Sequence, residues 1–275
     1  MSLGKSVLRN LPVSFIILIF FTIYTIYLEF VCLPTFEIEV GLGNYSIKYT
    51  KDAITHLLYF HVLGLLLLWS FIMTCITEPG FITDEWKLDP NNIYDCIERK
   101  QNGELRYCRN ENCYKPDRAH YCRPLGRNVL KMDHYCPWVS NGIGFYNYKY
   151  FFLTLFYSDL ISIFMFKNIT KAFYRSYYDP NSKFYQLFYL SLISILILII
   201  SLIIIPFTLF HLFLIITNKT TIECFSWNST PKHSYNLGLF HNIQAVLGTN
   251  ILLWLLPVGK PPGDGIHFQT NLTPP

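Results

Sequence analysis

Four long apolar runs, residues 11–31, 54–76, 150–166 and 187–216, set what this chain can fold into. An α-helix rises 1.5 Å per residue, so about 20 apolar residues cross the hydrocarbon layer of a bilayer. Lipid offers the backbone no hydrogen-bond partners, and a run of this length satisfies its own only as a helix. The implied fold class is an all-α integral membrane protein. It has four transmembrane helices, a small cytosolic cysteine-rich module between the second and third, and a cytosolic C-terminal tail. Composition agrees, with 52% hydrophobic and only 15% charged residues, where a soluble domain carries about a quarter charged. A net charge of +4 makes no electrostatic case for nucleic acid as a partner.

Residues 1–10 are a short N-terminus with Lys5 and Arg9. The run 11–31 is too long for a signal-peptide core, and no small-x-small cleavage site follows it, so it reads as a retained first span. Residues 32–53 form a polar loop. The second span, 54–76, carries His56 and His61, which read as bundle-facing or interfacial groups. Glu78-Pro79-Gly80 ends that helix. The polar module, 77–149, holds half of all lysines and arginines and about half of the acids. It is too small to build a robust core alone, which predicts a metal staple or packing against the membrane part. Asp159, in the third span (150–166), is costly in lipid and is expected to pair inside the bundle. After the loop 167–186 comes the fourth span, 187–216. Its 30 residues exceed the bilayer and must tilt, kink at Pro206 or project. His211 in that extension reads as a satisfied interfacial histidine. The tail, 217–275, contains a broken apolar patch, Ile243–Pro257, that suits an interfacial amphipathic helix better than a span. Four spans put both termini and the module on one side. Lys5, Arg9, Lys149 and Lys219 point to the cytosol, although Lys167, Lys171, Arg175 and Lys183 crowd the opposite loop.

The chemistry concentrates in Asp133-His-Tyr-Cys136. A thiolate is the reactive form of cysteine. His134 can take the proton from Cys136, and Asp133 can hold the imidazole in the required tautomer. Contact requires the chain to bring His134 and Cys136 to one side, and Pro137 biases Cys136 towards an extended conformation. The bland alternative is three polar residues in a loop. Four of the eight cysteines lie between positions 108 and 136. In a reducing compartment such a cluster means metal or catalysis more often than disulfides. Cys108, Cys113, His120 and Cys122 offer three thiolates and an imidazole, a donor set suited to tetrahedral zinc. The alternative is thiols in a loop.

From Cys108 to Phe151 the chain resembles the DHHC-type protein S-acyltransferase (palmitoyltransferase) family, in an Asp-His-Tyr-Cys form. The resemblance rests on Cys108…Cys113-Tyr-Lys-Pro-Asp-Arg-Ala119…Cys122…Val129-Leu-Lys-Met-Asp-His-Tyr-Cys-Pro-Trp-Val139, then Asn141, Gly144 and Asn147. Glu78-Pro-Gly80, Thr220-Thr-Ile-Glu223 and Tyr235-Asn-Leu-Gly…Asn242…Val246-Leu-Gly248 resemble three further motifs of that family, so the likeness runs from residue 11 to about 250. It implies a two-step transfer of a long-chain acyl group from acyl-CoA (palmitoyl-CoA), as co-substrate, through an acyl-Cys136 intermediate to cysteines of protein substrates on the cytosolic side. His134 is then the base and Asp133 its orienting partner. Each buried methylene of the acyl chain gains about 0.8 kcal/mol, which places the chain in the bilayer among the spans. Trp138, Phe145 and the aromatics of Tyr148–Phe152 line its entrance or serve as ordinary interfacial anchors.

The chain also departs from the family. Tyr135 stands where most members have a second histidine that resembles a zinc ligand. Leu125, Asn128 and Gly142 fall on family cysteines, and Tyr121 falls on a ligand histidine. One of two zinc sites is therefore expected to be lost, leaving at most one zinc on Cys108, Cys113, His120 and Cys122. These losses also motivate a second reading, a catalytically degenerate member acting as a membrane scaffold or adaptor. A zinc-binding channel has less support, because the spans offer few polar residues besides Asp159. No substrate-recruiting domain is visible, so recognition falls to the tail, the loops or an accessory subunit.

Overall fold

The structure, a computed structural model, describes residues 3–41, 44–49, 51–88, 96–100, 102–226 and 235–271. In chain order, helix α1 (Leu3–Tyr27) continues as a π-helical turn over Leu28–Cys32. A hairpin β1 (Phe36–Gly41) and β2 (Asn44–Tyr49) leads to α2 (Lys51–Ile76) and the short α3 (Asp84–Leu88). After the cysteine-rich hairpins come α4 (Tyr148–Tyr178), α5 (Phe184–Thr217), α6 (Thr221–Phe225) and α7 (Leu239–Leu247). Among the described residues, four stretches are long and apolar enough to cross a membrane: Leu11–Cys32, Ala53–Ile76, Tyr148–Tyr178 and Phe184–Thr217.

Three details differ from the sequence reading. The loop after the first span contains the β1–β2 hairpin, in register Phe36↔Tyr49 to Gly41↔Asn44. The third helix continues past Phe166 to Tyr178. Its extension interleaves Lys167, Lys171 and Arg175 with aromatics, and no stop signal precedes Asp179-Pro180. The apolar patch of the tail is not one helix: α7 ends at Gly248 (φ 95°), and a single 3-10 turn follows at Ile251–Leu253. A φ in that region breaks a right-handed helix at little cost only for glycine.

Two compact units divide the described chain. The first, residues 13–68 and 155–208, is helical apart from the β1–β2 hairpin. Its core joins Tyr27, Val31, Cys32, Phe60, Met165, Ile169, Leu190, Ile193 and Ile197. Large apolar side chains cover its outside, including Phe21, Leu58, Ile163, Leu202 and Ile203, as lipid as solvent requires. Three polar side chains of its helices, His56, His61 and Asp159, find hydrogen-bond partners. His56 Nε2 bonds Tyr27 Oη at 2.6 Å, and His61 Nε2 bonds Tyr24 Oη at 3.1 Å. Asp159 bonds Thr208, leaving Oδ1 buried without a partner. All three keep the structural role expected of them.

The second unit comprises residues 1–12, 69–154 and 209–275. Its cysteine-rich part is built from hairpins rather than helices: β3 (Tyr107–Cys108) with β4 (Cys113–Tyr114), β5 (His120–Cys122) with β6 (Arg127–Val129), and β7 (His134–Cys136) with β8 (Asn141–Ile143). The turns between them use Asn112, Gly126 and Ser140, all at positive φ, where asparagine and glycine are tolerated best. Gly144 is held in a tight crossing: a Cβ there would lie 2.5 Å from Val129 Cγ1 and 2.8 Å from the Pro79 carbonyl. Asn141 Nδ2 donates to the carbonyls of Thr74, Cys75 and Thr77, closing the orphan C-terminal end of α2.

A buried arginine knots this unit together. Arg118 is fully buried. Its Nε and Nη2 donate to the two Glu223 oxygens at 2.6 and 2.9 Å, and its Nη1 and Nη2 reach Asn218 Oδ1 and O. The guanidinium lies 4.3 Å over the Tyr235 ring and 5.1 Å over Phe268. Glu223 also closes a capping box with Thr220 at the start of α6. Burial opposes the Glu223 charge, but Arg118 outweighs it and holds the carboxyl below its usual range.

Candidate active site

The strand β7 does what the sequence left undetermined. Successive side chains of a strand point to opposite faces, so residues two apart share one. His134 and Cys136 therefore stand side by side, with Tyr135 turned away. Cys136 is extended, at φ −105° and ψ 109°, as the following proline requires. It pairs with Asn141 across the hairpin, and only 7% of its surface is exposed.

Asp133 lies behind the imidazole. Its Oδ2 accepts from His134 Nδ1 at 2.7 Å and from Thr221 Oγ1 at 2.7 Å. Its Oδ1 accepts from the Thr221 backbone N–H at 2.8 Å. Burial opposes the Asp133 charge, yet these donors keep the carboxyl below its ordinary range. Burial likewise opposes a charged His134. The hydrogen bonds to Asp133 and Cys136 overcome it, and the imidazole is held up at about 9. A cationic imidazole beside a thiol is the environment that favours a thiolate.

Two neighbours of this site carried no signal as such in the sequence. Thr221 belongs to the Thr220–Glu223 motif, but its service to Asp133 follows only from the fold. His211, read as interfacial, is fully buried, and its ring lies 5.8 Å from that of His134.

The proposed zinc ligands are only partly gathered. Cys108 and Cys113 pair directly across β3–β4 and share a core with Tyr121, Trp86 and Phe145. Alternation along β5 explains the rest: Tyr121 faces that core, while Cys122 belongs to another core with Val129, Met132, Leu125 and Tyr135. Among the described residues, the group of three or more His, Cys, Asp or Glu side chains with ligand atoms within 4.8 Å is Asp133, His134 and His211. Cys108, Cys113, His120 and Cys122 are not drawn together as one centre. Within the Asp133 group, the 2.7 Å bond between Asp133 and His134 is shorter than the roughly 3.3 Å between two ligands of a tetrahedral zinc. That group is hydrogen-bonded as it stands.

The departures from the family pattern have packing counterparts. Tyr135 pairs with Gly142 across β7–β8. A Cβ on Gly142 would lie 3.0 Å from Leu125 Cδ1. Cys122 is thus the one thiol among carbon-lined neighbours. Asn128 pairs with Tyr121 across β5–β6 and is clasped by Glu111, whose carboxylate accepts from its backbone and side-chain N–H groups at 2.5 Å. At neither place do three metal-ligating side chains among the described residues come within 4.8 Å of one another.

A family model described as DHHC palmitoyltransferase matches residues 101–228. Among curated relatives, the "Probable protein S-acyltransferase 14" of Arabidopsis thaliana is 35% identical over 223 residues, covering 74% of this chain and 72% of that protein. The "Palmitoyltransferase ZDHHC15" of Rattus norvegicus is 31% identical over 294 residues, covering 96% and 83%. The "Palmitoyltransferase ZDHHC2" of Danio rerio is 29% identical over 299 residues, covering 98% and 79%. These likenesses do not favour the scaffold alternative. The chain belongs to the DHHC palmitoyltransferase family: it is a multi-pass membrane protein S-acyltransferase that draws on acyl-CoA.

Proposed function

We propose that Cys136 is the residue that carries the acyl group and that this Asp-His-Tyr-Cys form of the motif is competent for transfer. The observation that carries the reading is the shared face of His134 and Cys136 on β7, with Asp133 bonded behind the imidazole at 2.7 Å. In the first step the Cys136 thiolate attacks the thioester carbonyl of a long-chain acyl-CoA. A new S–C bond forms, the CoA sulfur leaves, and His134 gives it its proton. In the second step His134 takes the proton of a substrate cysteine. The resulting thiolate attacks acyl-Cys136, and the Cys136 sulfur leaves as a thiolate beside the restored imidazolium. Asp133 stays ionised throughout and holds His134 in place.

The acyl group is palmitoyl or of similar length, and the acceptors are proteins presenting cysteines on the cytosolic face. The charged flanks Lys5, Arg9, Lys149 and Lys219 support that orientation. Substrates are selected by the tail, the loops or an accessory subunit. Tyr135 does not enter the chemistry.

Purified protein incubated with an alkyne-tagged palmitoyl-CoA should acquire a hydroxylamine-labile label, absent from Cys136→Ala. Equal labelling of the variant would sink the assignment. The packing of Leu125, Tyr135 and Gly142 leads to a second expectation. Elemental analysis of the purified protein should find less than one zinc per chain, and chelator should leave its melting temperature unchanged. One zinc or more per chain would overturn this reading.

A further inference from the structure

His211 is not needed for the two steps above, yet it is built into the site. Its ring is fully buried, and its Nδ1 lies 2.9 Å from Tyr148 Oη. Its centroid is 5.8 Å from that of His134, with the planes 44° apart. Phe151 meets both imidazoles edge-on, each at 5.0 Å. The base is therefore walled by two rings, one of which can itself hold a proton. A phenol ordinarily donates at neutral pH. Donation to Nδ1 occupies the lone pair that a second proton would need, so His211 presents an uncharged ring to His134.

We propose that His211 is a positioning residue for the acyl-transfer base: anchored by Tyr148, it packs against His134 as an uncharged ring and fixes the plane in which that imidazole exchanges its proton. The role follows from the geometry of the four rings. A protonated His211 would set a second cation against the His134 imidazolium, and loss of its ring would leave one wall of the base open. The other titratable groups facing this pair are Asp133 and Cys136. Behind Asp133 stand Lys131, Arg118 and Glu223. The proposal rests on Cys136 being the acylated residue. Failure of that premise would appear in the wild-type protein, as label elsewhere than Cys136, before any His211 variant is made.

The test follows the rate of self-acylation of the full-length protein in detergent, against pH and palmitoyl-CoA concentration. His211→Ala should lower the maximal rate about ten- to a hundredfold, the scale of a misplaced group, with the acyl-CoA dependence unchanged. His211→Phe, which keeps a ring, should recover most of that loss. Tyr148→Phe should move the acid limb of the profile to higher pH, because Nδ1 becomes free to protonate, and His211→Phe should abolish that movement in the double variant. A merely structural role would lower yield or melting temperature without moving the acid limb. A Tyr148→Phe profile of wild-type shape, or a His211→Ala rate equal to wild type, would overturn the proposal.

Discussion

Replacing Asp133 with asparagine is expected to slow acylation of Cys136 by about 10²–10⁴-fold, with little change in the acyl-CoA dependence. The carboxylate receives three donors: His134 Nδ1, Thr221 Oγ1 and the Thr221 N–H. An asparagine has one acceptor oxygen for these three. Whichever way it turns, an N–H faces a former donor, and leaving a buried donor unpaired costs about 1–3 kcal/mol. His134 also loses the charge that holds its imidazolium at about 9. The alkaline limb of the rate profile should therefore move to lower pH in Asp133→Asn. The sign for stability is the same. The folded value lies above the ordinary 6.5 of imidazole, so the contribution of charged His134 is complete below that pH and is lost as pH rises through about 9. A variant with an unmoved alkaline limb would show that Asp133 does not set the state of the base.

Removing the arginine beneath this site should be costlier for the fold. Arg118→Ala leaves the Glu223 carboxylate without its bidentate partner and Asn218 without its donor. Breaking one side of a buried pair costs about 3–5 kcal/mol. The solubilised protein should lose roughly 10 °C or more of melting temperature on that scale. Activity should fall with it, because Glu223 caps the helix whose first residue, Thr221, holds Asp133. Arg118→Lys should rescue little, since an ammonium cannot make the two-pronged contact. Glu223→Gln is the reverse change and should also be destabilising, because it leaves the fully buried Arg118 guanidinium without its counter-charge. Equal melting temperatures for Arg118→Ala and wild type would show that the knot does not hold the unit.

The four spans were legible because each is a single apolar run, and lipid allows such runs one conformation. The motif was legible as an ordered set of residue types. The arrangement inside it was not. Strands of two or three residues, such as β5 and β7, are too short to give a periodic signal, yet their alternation decides that His134 meets Cys136 and that Cys122 turns from Cys108. The Arg118–Glu223 and Asp133–Thr221 pairs join residues 105 and 88 positions apart, a separation that no local pattern encodes. His211 is the one histidine in an apolar helix. Whether such a residue meets lipid, water or a neighbouring ring depends on packing alone.

The bond from Thr221 to Asp133 has a consequence for how this enzyme comes into being. Chains are made from the N-terminus at about 5–20 residues per second. Cys136 thus leaves the ribosome roughly 4–17 s before Thr221, 85 residues later. Throughout that interval Asp133 lacks the two Thr221 donors that hold it behind His134. A chain truncated before Thr221 is therefore expected to carry the motif with Asp133 unheld and to acylate itself more slowly than the full-length protein.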